Sequence, residues 1–152
     1  MLAEIGLALS VVCAGLWSGL LLTLTTILHP IYAAQDGAGF AAELRRFLPV
    51  ARKSPTNYLL VIGLVVAPVI ALIGGAPPWL TGTGLALTVI GPLLISSRLA
   101  EPNYDVILAW DPAALPDDWR AVRRRYFALN WIRAVITWIA FLLFLAAFWS
   151  YL

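Results

Sequence analysis

Of 152 residues, 62% are hydrophobic and 12% are charged, with a formal net charge of +2. Soluble domains are about half apolar and about a quarter charged, so this chain has too few charged side chains to cover its apolar surface in water. The composition excludes an ordinary soluble domain; the cations, confined to two segments, argue against a nucleic-acid partner and for a lipid bilayer.

In chain order, the first feature is a run from Ile5 to Leu28 without a charged residue. A hydrocarbon core of about 30 Å needs about 20 helical residues, so 5–28 is a first span. Glu4, the lack of a basic leader and the length of the run separate it from a secretory signal, and it reads as a retained helix. Cys13, the single cysteine, leaves no intrachain disulfide and reads as a packing residue. Ser10, Ala14 and Ser18 recur at one-turn spacing beside Gly15 and Gly19. Such a face suits close helix packing, within the bundle or between subunits of a homo-oligomer.

The connection 29–56 holds Arg45, Arg46, Arg52 and Lys53. Within it Phe40, Leu44, Phe47 and Leu48 recur at helical spacing, the pattern of a short interfacial helix or of a span extended beyond the membrane. Span two is 57–73 and ends in Gly74-Gly75-Ala76-Pro77-Pro78, a strong turn signal. Span three is 79–97. Pro68 and Pro92 inside these spans predict kinks, because neighbouring helices re-satisfy the freed carbonyls.

The connection 98–133 holds Arg98, Arg120, Arg123, Arg124, Arg125 and Arg133. Asp105 and Asp111-Pro112 read there as loop and turn residues. Pro116-Asp117-Asp118 reads as a helix start, so the last helix, with span four at 134–152, runs about 35 residues or roughly 50 Å. Neither the turn between spans two and three nor the C-terminus carries a cation. The positive-inside rule then puts both long loops in the cytoplasm and both termini outside. The expected fold is all-α: one four-helix bundle, multi-pass in the inner (plasma) membrane, with N- and C-termini on the extracytoplasmic side.

Polar residues inside spans are costly and turn toward the protein interior. Here they gather at the loop end. His29 follows Thr23, Thr25 and Thr26; Asn57 and Tyr58 open span two; Arg98 and Glu101 close span three; Tyr126, Asn130, Arg133 and Thr137 share one face of the last helix. Together they predict a polar-mouthed pocket narrowing into an apolar cavity, with Thr25, Asn57, Tyr58, Glu101 and Tyr126 as substrate-binding residues. His29 is the candidate base, and Asn130 and Arg133 would hold a developing oxyanion. Plainer uses compete: His29 as a hydrogen-bonding residue near a helix end, Arg133 snorkelling or paired with Glu101, Asn57 as a helix cap. One histidine does not supply bis-histidine haem ligation, no Glu-x-x-His set suits a di-iron site, and the glycine pairs lack a phosphate-loop context. No metal or other cofactor is expected.

Several segments carry a family resemblance. They are Glu101-Pro102-Asn103, Trp110-Asp111-Pro112, Asp118-Trp119-Arg120, the run Arg125-Tyr126-Phe127-Ala128-Leu129-Asn130-Trp131-Ile132-Arg133, and His29-Pro30. These resemble the small four-helix membrane family that includes the fungal anthrone oxygenases, over nearly the whole chain. The resemblance implies a four-helix bundle and oxidation of an anthrone to an anthraquinone by dioxygen without a recognised cofactor. Arg133 matches the family's arginine. Asn130 stands where a histidine is expected, and Asn103 falls one position before the family's Pro-x-Asn pattern. Two functions stay open: a cofactor-independent oxygenase for a lipophilic aromatic substrate, or a non-enzymatic membrane protein that binds a lipid or small molecule or serves as an accessory subunit of a membrane complex. Transport is disfavoured, because no charge is expected near mid-bilayer.

Overall fold

The computed structural model describes all 152 residues. Its helices are α1 (Leu2–Ala33), α2 (Gly37–Lys53), α3 (Pro55–Ile73), α4 (Pro78–Leu108) and α5 (Trp119–Tyr151). All but α2 are long and apolar enough to cross a bilayer. They close into a ring: α1 packs on α3 and α5, and α4 packs on α3 and α5. One end of the bundle carries the termini and the Gly74-Gly75 turn, the other the two charged connections.

The exposed surface is apolar. On α1, Leu2, Ile5, Leu9, Val12, Leu16 and Leu20 face outward, while Ala3, Gly6, Ser10 and Ala14 are buried. In water that arrangement would be inverted; in lipid it costs nothing, and small inward residues let the backbones meet. A Cβ on Gly6 would overlap the Ala71 backbone, and one on Gly74 would overlap that of Ala3. Gly75 completes the α3–α4 turn at φ 87°, a conformation open to glycine. Exposed Trp131 and Trp149 lie about 27 Å apart along α5 at about 1.5 Å per residue. That spacing approaches the hydrocarbon thickness, as expected of two aromatic belts.

The helices outrun the apolar segments. α1 continues through His29-Pro30 to Ala33 by way of a wide π turn at Leu24–Leu28. Proline lacks an N–H and its ring crowds the carbonyl four residues back, and the wider turn relieves both problems. α4 is likewise wide over Val89–Ala100, around Pro92, and regular again from Glu101 to Leu108. Asp105 is therefore helical, contrary to its reading as a loop residue. Pro102 sits in the first turn of that regular segment, where a missing N–H is harmless.

α2 begins at Asp36, whose carboxylate accepts a 2.7 Å hydrogen bond from the Gly39 N–H. It lays Phe40, Ala41, Leu44 and Leu48 on a layer that includes Tyr104, Trp110 and Tyr126. Phe47, expected on the same stripe, is exposed instead. Arg45 donates to the carbonyls of Leu108 and Trp110, so a cation covers the C-terminal end of α4. The charged end is thus a folded cap, and α2 is its main strap.

Candidate binding site

α3 packs closely on Pro78–Thr88 but barely meets Val89–Ala100. The two helices part toward the charged end, and a half-open cavity of about 820 Å³ fills the gap. Small-molecule sites are commonly about 300–1,000 Å³. All five helices contribute to the wall, which is mainly apolar: Trp17, Leu24 and Leu28 from α1, Val61 from α3, Pro92 and Leu93 from α4.

One wall of this cavity is polar and buried. The Tyr104 hydroxyl donates to Asn130 Oδ1 at 3.0 Å, and Arg133 Nη1 donates to both Tyr104 Oη and Asn130 Oδ1, each at 3.0 Å. Asn130 Nδ2 donates to the Tyr126 carbonyl at 3.0 Å, which orients the amide with its oxygen toward the other two. Asn130 is fully buried and Arg133 is 9% exposed. Arg133 therefore neither snorkels to the surface nor pairs with Glu101. Its Nε is buried without a partner, as are Trp17 Nε1 and Ser96 Oγ of two other lining residues. Thr137 donates to the Arg133 carbonyl at 2.8 Å and takes no part in the network.

A second polar group closes the side of the cavity toward α2. Arg52 donates from Nε to Glu101 Oε2 at 2.8 Å and from Nη2 to Asp105 Oδ1 at 2.8 Å. Asp105 and then Glu101 hold the Arg52 pKa above its ordinary value. Tyr58 Oη donates to the Arg52 carbonyl at 2.8 Å, and Asn57 Nδ2 to the Ala51 carbonyl at 3.1 Å. Ser54, rather than Asn57, caps α3, accepting from the Asn57 N–H at 3.3 Å. Asn57 and Tyr58 line the cavity, but their polar ends hold the α2–α3 junction.

The structure thus gathers Asn57, Tyr58, Glu101, Tyr126, Asn130 and Arg133 around one cavity. It leaves His29 and Thr25 outside. Thr25 is buried and donates to the Leu21 carbonyl at 2.8 Å. His29 lies against the rings of Tyr126, 5.6 Å between centroids, and Phe127, 4.7 Å, with neither nitrogen hydrogen-bonded. Leu24 and Leu28 line the cavity, and His29, the next residue round the helix, falls against the α5 rings.

Tyr104, Trp17, Ser96 and Arg52 were not singled out from the sequence. Ala100, Tyr104 and Ile107 do have helical spacing and are all buried. Continuing span three past Pro102 would have put Tyr104 on the inward face. Nothing in the sequence marks Trp17 or Ser96. No group of three or more His, Cys, Asp or Glu side chains is gathered anywhere in the fold. Comparison with family models, with curated proteins and with solved structures gives no match to this chain.

Proposed function

We propose that this multi-pass membrane protein takes one lipophilic molecule from the surrounding bilayer into the cavity between α3 and α4, with the oxygen-bearing end of the molecule against Arg133. One observation carries the reading: a buried cation lines a largely apolar, half-open cavity of small-molecule size. The apolar walls favour burial of a hydrocarbon or aromatic body, and the Arg133 guanidinium, whose Nη2 makes no hydrogen bond, prefers electron-rich oxygen. The cation distribution supports a plasma-membrane orientation with both charged connections in the cytoplasm and both termini outside. Saturable one-to-one binding of a tritiated lipophilic phenol, such as nonylphenol, to the protein in detergent tests the reading. Leu93→Trp, which fills the cavity, should remove that binding. Equal binding by the filled variant would discard the cavity as the site.

A second reading, cofactor-independent oxidation, uses the same wall. An anthrone that loses a ring C–H proton becomes an enolate, whose oxygen Arg133 would stabilise, while Asn130, accepting from Arg133 and donating to the Tyr126 carbonyl, would hold the guanidinium in place. Reaction with dioxygen then gives the quinone and water, both oxygen atoms being accounted for. The observation in its favour is the His29 imidazole, free of hydrogen bonds behind Tyr126. Acting as base, it would require the Tyr126 and Phe127 rings to move aside. Quinone formation from a model anthrone above a detergent blank, lost in His29→Ala, supports oxidation. No rate above the blank leaves binding alone.

A further inference from the structure

The polar wall has a bias that narrows the ligand. Arg133 makes both of its side-chain hydrogen bonds through Nη1. The adjoining edge, Nε and Nη2, makes none, and Nε is buried. Every ion pair in the chain lies elsewhere: the amino terminus with Glu4, Arg46 with Glu43, and Arg52 with Glu101 and Asp105. Arg133 is thus a buried charge with hydrogen-bond acceptors but no counter-charge. Such a cation is costly to keep in a low-dielectric interior.

A guanidinium N–H only donates. Nε is enclosed, so Nη2, which makes no hydrogen bond, is the Arg133 nitrogen left for a ligand. A neutral carbonyl or alcohol would accept from it and leave the charge uncompensated. A carboxylate oxygen accepts from it and also compensates the charge. The remainder of the cavity is hydrocarbon-lined by Leu20, Leu24, Leu28 and Val61, and it lies where α3 and α4 part.

We propose that the cavity is a site for a single-chain amphiphile with a carboxylate head, a fatty-acid-like anion. Its head is seated against Arg133 Nη2, and its chain runs along α1 toward the α3–α4 opening. This assignment rests on the cavity being a ligand site. Arg133 supplies both the charge and the donor that select the head.

The test compares tritiated hexadecanoate, its methyl ester and hexadecyl phosphate by scintillation proximity on the detergent-purified full chain. Hexadecanoate should bind saturably, and the ester about tenfold or more weakly, the loss expected for one charge-assisted contact. Arg133→Gln should erase the acid-over-ester preference, and Arg133→Lys should retain only part of it. The parent protein keeps the test sound should replacement of Arg133 unfold the chain: its preference for the acid over the ester should fall away as the pH drops through the range in which the hexadecanoate carboxylate is protonated. Equal binding of acid and ester, or a preference for hexadecyl phosphate over the acid, overturns the carboxylate and leaves the cavity reading intact. Binding of none of the three, with nonylphenol binding also absent, removes both.

Discussion

The Tyr104 hydroxyl lies 3.0 Å from Asn130 Oδ1, so a phenol on α4 and an amide on α5 are joined within the bundle. Arg133 completes the set from one helical turn along α5, donating to both oxygens. Tyr104→Phe keeps the ring and deletes the shared oxygen. Buried polar groups that lose a partner cost about 1–3 kcal/mol. Thermal unfolding in detergent should register a loss of that size, whereas the neighbouring Tyr126→Phe, whose hydroxyl makes no hydrogen bond, should fall well short of it. Equal effects would mean that the network adds nothing beyond packing.

His29 predicts the opposite sign. Its two nitrogens are buried and unpartnered among aromatic rings. His29→Leu removes that desolvation cost at a volume closer to that of the imidazole, and stability should hold or rise by about 1 kcal/mol. A clear fall in melting temperature would show that the imidazole has a partner in the folded state. The stable variant also gives the cleanest background for the oxidation assay.

Arg52 should govern access more than stability. Its side chain is about one-third exposed (35%), and pairs of this kind contribute about 1 kcal/mol or less. Arg52→Ala should leave the melting temperature nearly unchanged and loosen the hold of α2 on α4. In a Cys13→Ser background, a cysteine substituted for Ser96 should then react with maleimide several-fold faster, and added salt should mimic part of that gain in the parent. An unchanged rate would mean that reagents reach the cavity only between α3 and α4.

Two glycines on α1 separate packing from propensity. A side chain on Gly6 meets the Ala71 backbone, so Gly6→Val should cost about 1–3 kcal/mol or prevent assembly. At Gly19 an added methyl group would meet nothing within 4 Å, and Gly19→Ala should stabilise the helix by about 0.5–1 kcal/mol. Detergent unfolding of the two variants side by side checks the helix pairing. A mild effect at Gly6 would place α1 farther from α3 than the structure does.

Orientation is testable without a ligand. Alkaline phosphatase fused after Leu152 should be active and a green fluorescent protein there dark, with the reverse for insertions after Ala113. The opposite pattern would invert the bundle.

Four spans could be read from the sequence because the requirement behind them is one-dimensional: a stretch such as 5–28 is either apolar for the thickness of a bilayer or it is not. The buried stripe of α2 at Phe40, Leu44 and Leu48 and the gathering of Asn130 and Arg133 on one face follow from helical periodicity, which is also local. Pro116-Asp117-Asp118, expected to open the last helix, instead precede it: α5 begins at Trp119, and Asp118 makes no side-chain cap. What the bundle alone decided is which inward residues meet. The rotation of α1 puts Leu28 on the cavity and His29 against Tyr126 and Phe127, a helix that continues past Pro102 brings Tyr104 to Asn130, and the parting of α3 from α4 opens the space that Trp17 and Ser96 line. Each depends on the rotation and separation of whole helices, quantities set by packing among distant residues.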